Sequence, residues 1–203
     1  MTFLETILEE ILRIFKRDGI EANTQEDIIK RLDIRHSTFQ ELFSSKADMV
    51  LKVVRFDIKE QERQQARLLA NAQDPVEEVM LLLQDGIKNI QQTNPQYVLD
   101  LQQHYEEVWL MCLEYLNSNS YHLISEIINR GILQGLFRKD INIELVTRII
   151  LAQLNMMLNP QVFPPEKYNL SEVYRSIFLY YLRGICTEPG GKLAEAFFAK
   201  HNL

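Results

Sequence analysis

The sequence predicts an all-α protein in two parts: a three-helix N-terminal domain over 1–48 and a larger helical domain over 49–203. Three observations predict this. Apolar residues recur at i, i+3 and i+4 along most of the chain, the period of helices with one buried face. Glycine and proline are sparse, 7 and 6 in 203 residues, too few for a turn-rich β architecture. Asn, Asp, Ser, Thr and Pro residues cluster where helices should begin.

Ile7, Ile11, Ile14 and Phe15 share one face of a first helix, with Glu9, Glu10, Arg13 and Lys16 between them. Gly19 suits its end because glycine tolerates positive φ. Thr24 caps a second helix, and Asp27 three residues on completes a capping box. Ile28, Ile29 and Leu32 form its buried side, and Asp33-Ile34 the turn that follows. Thr38, Phe39, Leu42 and Phe43 fit a short third helix whose two phenylalanines, four apart, share a face. Ser44 or Ser45 caps the next helix, and Asp48 pairs with Ser45 in a second capping box. Two short amphipathic helices, a tight turn and a capped longer helix make the helix-turn-helix pattern, whose second helix enters a DNA major groove.

Residues 46–72 read as one long helix, apolar early (Met49, Val50, Val53, Val54) and polar later. Asp74-Pro75 restarts the chain: a cap, a proline at the first helical position, then Glu77 and Glu78 near the positive end of the dipole. Asn94-Pro95 repeats the device. These bound a helix at 75–93 and open another at 95, either one helix or two with a break near His104. Asn117-Ser118-Asn119-Ser120 reads as a polar loop, with Ser120 capping a helix through Gln134. Gly135 stops that helix, Asn142 caps one at 143–158, and Pro160, Pro164 and Pro165 fill a loop. Ser171 caps a helix to Cys186, and a tail helix spans roughly 191–200.

Composition bounds the function. A net charge of −6 argues against bulk attraction to membranes, and no apolar run reaches the length of a membrane span. No secretory leader is expected, and the location implied is cytoplasmic. Cys112 and Cys186 stand far apart in apolar helical patterns, as buried free thiols do. His104 and His122 are lone histidines, so no metal is expected. No nucleophile elbow, P-loop, zinc-protease or dinucleotide motif is present, so neither enzyme activity nor a cofactor is expected. Residues 1–55 hold nine Lys and Arg against ten Asp and Glu, a balance of −1. DNA affinity comes mainly from basic side chains that displace counterions. Local clustering of Lys30, Arg31, Arg35, His36 and Lys46 must therefore supply it.

Residues 19–49, with Ile7, Ile11 and Phe15, resemble the N-terminal domain of the TetR family of bacterial transcriptional regulators. Ile28-Ile29 takes the place of an Ile-Ala pair, Asp33-Ile34 that of a Gly-Val turn, and Phe43 and Lys46 the closing Phe and Lys. The sequence departs from the pattern at Asp33, at Ile29, and at Gln40, where a Tyr is usual. Gly135, Phe137, Arg138 and Asp140 fit a second family string, and Leu182-Arg183-Gly184-Ile185-Cys186-Thr187 a third. The resemblance implies phosphate contacts from Thr24, Gln40 and Lys46. Arg35, His36, Ser37 and Thr38 complete the expected DNA-binding set. It also implies a homodimer built on the last two long helices, through Val146, Ile150, Leu154, Met157, Tyr174, Ile177, Phe178 and Tyr181.

A ligand site is expected among the helices at 75–93, 95–116 and 120–135, lined by Met80, Leu83, Ile87, Tyr97, Leu101, Tyr105, Trp109, Met111 and Tyr115. Tyr and Trp suit such a site because each offers apolar area and one polar atom. The function this implies is a repressor, bound as a dimer to a pseudo-palindromic operator in double-stranded DNA and released by a small apolar or aromatic effector. The second reading, which Asp33, Gln40 and the charge balance favour, is a sensor or interaction protein of the same fold with weakened or lost DNA binding.

Overall fold

The computed structural model describes residues 2–201. The chain runs through α1 (Phe3–Asp18), α2 (Gln25–Leu32), α3 (His36–Leu42), α4 (Lys46–Leu69), α5 (Pro75–Gln91) and α6 (Pro95–His104). It continues through α7 (Glu106–Tyr115), a π-helical segment (Leu116–Ser120), α8 (Tyr121–Leu133), α9 (Ile143–Met157), α10 (Leu170–Ile185) and α11 (Glu188–His201). No strand occurs among the described residues. Two compact units form: Met1–Gln64 with Gln92–Cys112, and Gln65–Gln91 with Leu113–Leu203.

In the first unit the helix starts follow from side-chain caps. Thr2 and Glu5 form a capping box at α1, which the sequence reading had not named. Thr24 and Asp27 form the expected one at α2: Asp27 N–H donates to Thr24 Oγ1 (3.1 Å) and Thr24 N–H to Asp27 Oδ2 (3.0 Å). At α4 Asp48 N–H donates to Ser45 Oγ (3.1 Å), but the Asp48 carboxylate accepts from Ser44 N–H (2.9 Å) rather than from Ser45. Ile11, Phe15, Ile20, Ile28, Met49, Val50 and Val53 are completely buried in one core, joined by Tyr97, Leu101 and Val108. Each such side chain contributes about 1.5–3 kcal/mol on burial.

In the second unit α5 packs on α8, α10 and α11, and α9 on α8 and α10. Asp74 Oδ1 accepts from Val76 and Glu77 N–H (2.8 and 2.9 Å), so the expected restart forms. Buried Glu78 takes a two-pronged ion pair from Arg130 (2.9 and 2.6 Å), tying α5 to α8. Gly135, at φ +72°, ends α8, with Leu136 N–H donating to the Gly131 carbonyl (2.9 Å) and Gly135 N–H to Ile132 (3.0 Å).

Two expectations are corrected. Residues 117–120 are not a loop: the Leu116–Ser120 segment is π-helical between helical residues at Tyr115 and Tyr121, and Ser120 makes no side-chain cap. The cap of α10 is Asn169, whose Oδ1 accepts from Ser171 N–H (3.1 Å) and Ser171 Oγ (2.7 Å).

Candidate nucleic-acid interface

The third helix is held by its aromatic pair. Phe39 and Phe43 are 2% and 3% exposed, with ring centroids 5.0 Å apart, and they anchor α3 on the core of the first unit. The opposite side is therefore left to solvent: Arg35, His36, Ser37, Gln40 and Glu41 are exposed and Thr38 half-buried. Lys52 seals the far end of the helix. Its Nζ donates to the Leu42 carbonyl (2.8 Å) and pairs with Asp48 (2.9 Å), favourable placement for a cation at a helix C-terminus. The Lys52 hydrogen bond, helped by Ser44 N–H, holds the Asp48 carboxyl below its usual range.

The remaining expected DNA contacts are already engaged. Thr24 is exposed, but its hydroxyl donates to Asp27 Oδ2 (2.7 Å), so that proton is committed within the protein. Arg31 pairs with Asp18 (2.6 Å), which also takes Arg17 (2.8 Å). The two guanidinium groups, Arg17 first, hold the Asp18 carboxyl well below the usual carboxylate range. Lys46 Nζ stands 2.9 Å from Glu21 Oε1, and Tyr105 Oη donates to that same oxygen (2.7 Å). The Tyr105 hydrogen bond, then Lys46, lowers the Glu21 pKa. Lys30, Arg35 and His36 remain as exposed basic groups beside the third helix.

Asp100 has no counterpart in the sequence reading. It is 1% exposed, and its Oδ2 accepts from the N–H groups of Ile20 (2.7 Å) and Glu21 (2.9 Å). Gln96 Nε2 donates to the other oxygen (2.6 Å). α6 thus grips the connector between α1 and α2 by its backbone. The signal was a carboxylate inside the apolar run Tyr97, Val98, Leu101, where only a partnered one is tolerated. Gly19, at φ +87°, makes the approach possible, since a Cβ there would stand 3.1 Å from Asp100 Oδ2.

The expected ligand set divides. Tyr97 and Leu101 are buried in the core of the first unit, where Tyr105, Trp109 and Met111 pack half-buried against it. Met80 and Leu83 are buried in the core of the second unit, with Ile87 half-buried beside them. Tyr115 is half-buried at the end of α7. Tyr97 and Leu101 thus fill the first core, and Met80 and Leu83 the second. Burial also raises the Cys112 and Cys186 thiols to about 11, which keeps both protonated and unreactive.

The expected dimer set divides in the same way. Ile150, Leu154, Met157 and Phe178 are 1%, 9%, 4% and 7% exposed within their own chain, so they belong to its core. Val146, Tyr174, Ile177 and Tyr181 are half-buried. On α9 and α10 the large apolar residues left on the surface are neighbours of these: Leu145, Ile149 and Met156 on α9, at 56%, 51% and 44% exposure, and Tyr180 on α10 at 72%. With exposed Ala152 the α9 set falls on one stripe, and Val173, Ile177, Tyr180 and Gly184 form a matching stripe on α10. A cavity of about 660 Å³ opens between them and the loop after α9, lined by Met156, Phe163, Tyr168, Val173, Ile177, Tyr180 and Tyr181 among others.

Comparison with known proteins agrees with this architecture. The family described as "YsiA-like protein, C-terminal region" matches residues 43–184. The HTH-type transcriptional repressor KstR2 of Mycobacterium tuberculosis is 24% identical over 147 residues, 71% of this chain and 74% of that protein. The solved structure of the ketosteroid transcriptional regulator KstR2 covers 92% of this chain and 96% of its own, at 19% identity and a TM-score of 0.60. A TetR-family regulator from Agrobacterium tumefaciens covers 91% and 97%, also at 19% identity, with a TM-score of 0.70. The family match over most of the chain, on an all-helical fold with a helix-turn-helix at its start, shows that the protein belongs to the TetR family of transcriptional regulators.

Proposed function

We propose that this regulator is a cytoplasmic repressor that binds a pseudo-palindromic operator as a homodimer and leaves it when a small apolar or aromatic effector binds. The observation that carries the reading is the third helix. Two buried phenylalanines fix it, and Arg35, His36, Ser37 and Gln40 stand on its free side, suited to base edges and phosphates. In this reading residues 1–48 read DNA, with Thr24, Thr38 and Lys46 at its margin, and 49–203 bind effector and partner. The exposed stripes of α9 and α10 support the dimer, which sets two third helices on one face of the duplex. Of the expected ligand residues, Tyr105, Trp109 and Met111 in the first unit keep some surface, as do Ile87 and Tyr115 in the second, and the apolar area of each group by itself supports an apolar effector. Relatives that are regulators rather than enzymes support a role without catalysis.

The test is a gel shift with the protein's own upstream intergenic DNA across a salt series. A discrete shift that survives competitor DNA and weakens steeply with salt is expected, and Lys46→Ala should lower the salt slope by about one. No shift from a folded dimer, with wider genomic fragments also unbound, would favour the second reading, a sensor that has lost DNA binding. The engagement of Thr24 by Asp27 and of Lys46 by Glu21 is what speaks for that alternative.

A further inference from the structure

We propose that Glu21 is a positioning residue: it holds the Lys46 ammonium against itself in the free protein, so that DNA phosphate must displace it, and the Tyr105 hydroxyl keeps it in place. The proposal rests on the reading of Lys46 as a phosphate contact. Glu21 and Lys46 share a 2.9 Å contact, with side chains 41% and 25% exposed. A pair this open, on two flexible side chains, ordinarily contributes little. This one is built from backbone to tip. The N–H groups of Ile20 and Glu21 are bound to buried Asp100, Gln96 braces Asp100, and Tyr105 Oη fixes the Glu21 carboxylate at 2.7 Å. Gln96 and Asp100 stand on α6, and Tyr105 is its C-terminal cap.

Glu21 has no other evident task. It caps no helix and lies outside the core. A carboxylate and a phosphate oxygen compete for the same ammonium, so Lys46 cannot serve both at full strength. Tyr105 stands at the break between α6 and α7, so a change at that break reaches Lys46 through one hydrogen bond and one ion pair.

The test is a polarisation titration of a labelled duplex of the protein's own upstream intergenic DNA at fixed salt. The proteins are wild type, Glu21→Gln, Tyr105→Phe, Lys46→Ala and the double variant Glu21→Gln/Lys46→Ala, with melting temperatures measured alongside. Glu21→Gln should tighten binding about threefold to fivefold, the equivalent of releasing one exposed ion pair. Tyr105→Phe, which changes no charge, should tighten it about twofold. In the Lys46→Ala background the Glu21→Gln gain should vanish. An equal gain in both backgrounds would mean simple charge removal and would overturn the proposal. A flat Tyr105→Phe titration would overturn the role of the hydroxyl. Wild-type binding with no response to Glu21→Gln overturns the hold on Lys46 alone, whereas no discrete binding by any of the five overturns the DNA reading with it. A merely structural Tyr105 would lower the melting temperature without tightening DNA.

Discussion

A carboxylate makes the turn between the second and third helices. Asp33 sits at φ 50°, ψ 43°, left-handed backbone that costs a non-glycine residue about 1–2 kcal/mol, less for Asp. It also places a negative charge at the negative end of α2. Asp33→Gly should therefore raise stability by about 0.5 kcal/mol, after the entropy that glycine loses on folding is subtracted. Chemical denaturation of the two proteins decides it: a lower midpoint for the glycine variant would mean that Asp33 makes a favourable interaction in the turn. Asp48 gives a pH signature. Its folded pKa lies below the ordinary 3.8, so its contribution is complete above that value and is lost as pH falls through the lowered one. Urea midpoints at pH 5 and pH 3 should fall further for wild type than for Asp48→Asn. Parallel loss in both proteins would show that the Lys52 and Ser44 contacts do not act on stability.

Caps place the helices of the second unit, and they can be tested singly. Asn142 Oδ1 accepts from Leu145 N–H (3.1 Å) at the start of α9. Asn142→Ala should cost about 1 kcal/mol, a fall of about 2–4 °C in melting temperature for a chain of this size. An unchanged melt would mean that packing alone fixes that start. Because caps are local, most of the architecture was legible: Asn142 caps α9 as expected and that helix ends one residue short of its expected bound, whereas α10 starts two residues early because Asn169 rather than Ser171 caps it. Where tertiary packing overrides local preference, it was not. Asn117 to Ser120 have turn-forming side chains, yet the segment packs on α8 and α9 and stays helical by widening to a π turn. The third helix was legible because Phe39 and Phe43 leave only one way for it to sit. Glu21 and Asp100 were not, since their partners lie 25 and roughly 80 residues away in sequence.

The two family strings of the second half prove to be one structure. Arg138 N–H donates to the Ile185 carbonyl (2.8 Å), Thr187 N–H to Leu136 (3.0 Å) and Thr187 Oγ1 to Gly135 (2.8 Å). This short antiparallel bridge joins the end of α8 to the end of α10, and it helps fix which side of α10 turns inward. Periodicity gives two apolar stripes on α9 and on α10 but does not say which one the chain keeps for itself. Phe178, Leu182 and Ile185 go to the core, so Tyr180 and Gly184 face outward with half-buried Val173 and Ile177 at the margin, and space is open where a Cβ on Gly184 would stand. A second copy covering this face would remove Leu145, Ile149, Met156 and Tyr180 from water, at about 25 cal/mol per Å² buried. Two variants one residue apart separate the stripes. Ile149→Glu, on the exposed stripe, should leave a folded chain that elutes as a monomer in light-scattering chromatography at micromolar concentration. Ile150→Glu, 1% exposed, should instead unfold the second unit, because a carboxylate would be buried without a partner. If Ile149→Glu stays dimeric, the partner sits on another face, and the operator geometry must be argued from that one.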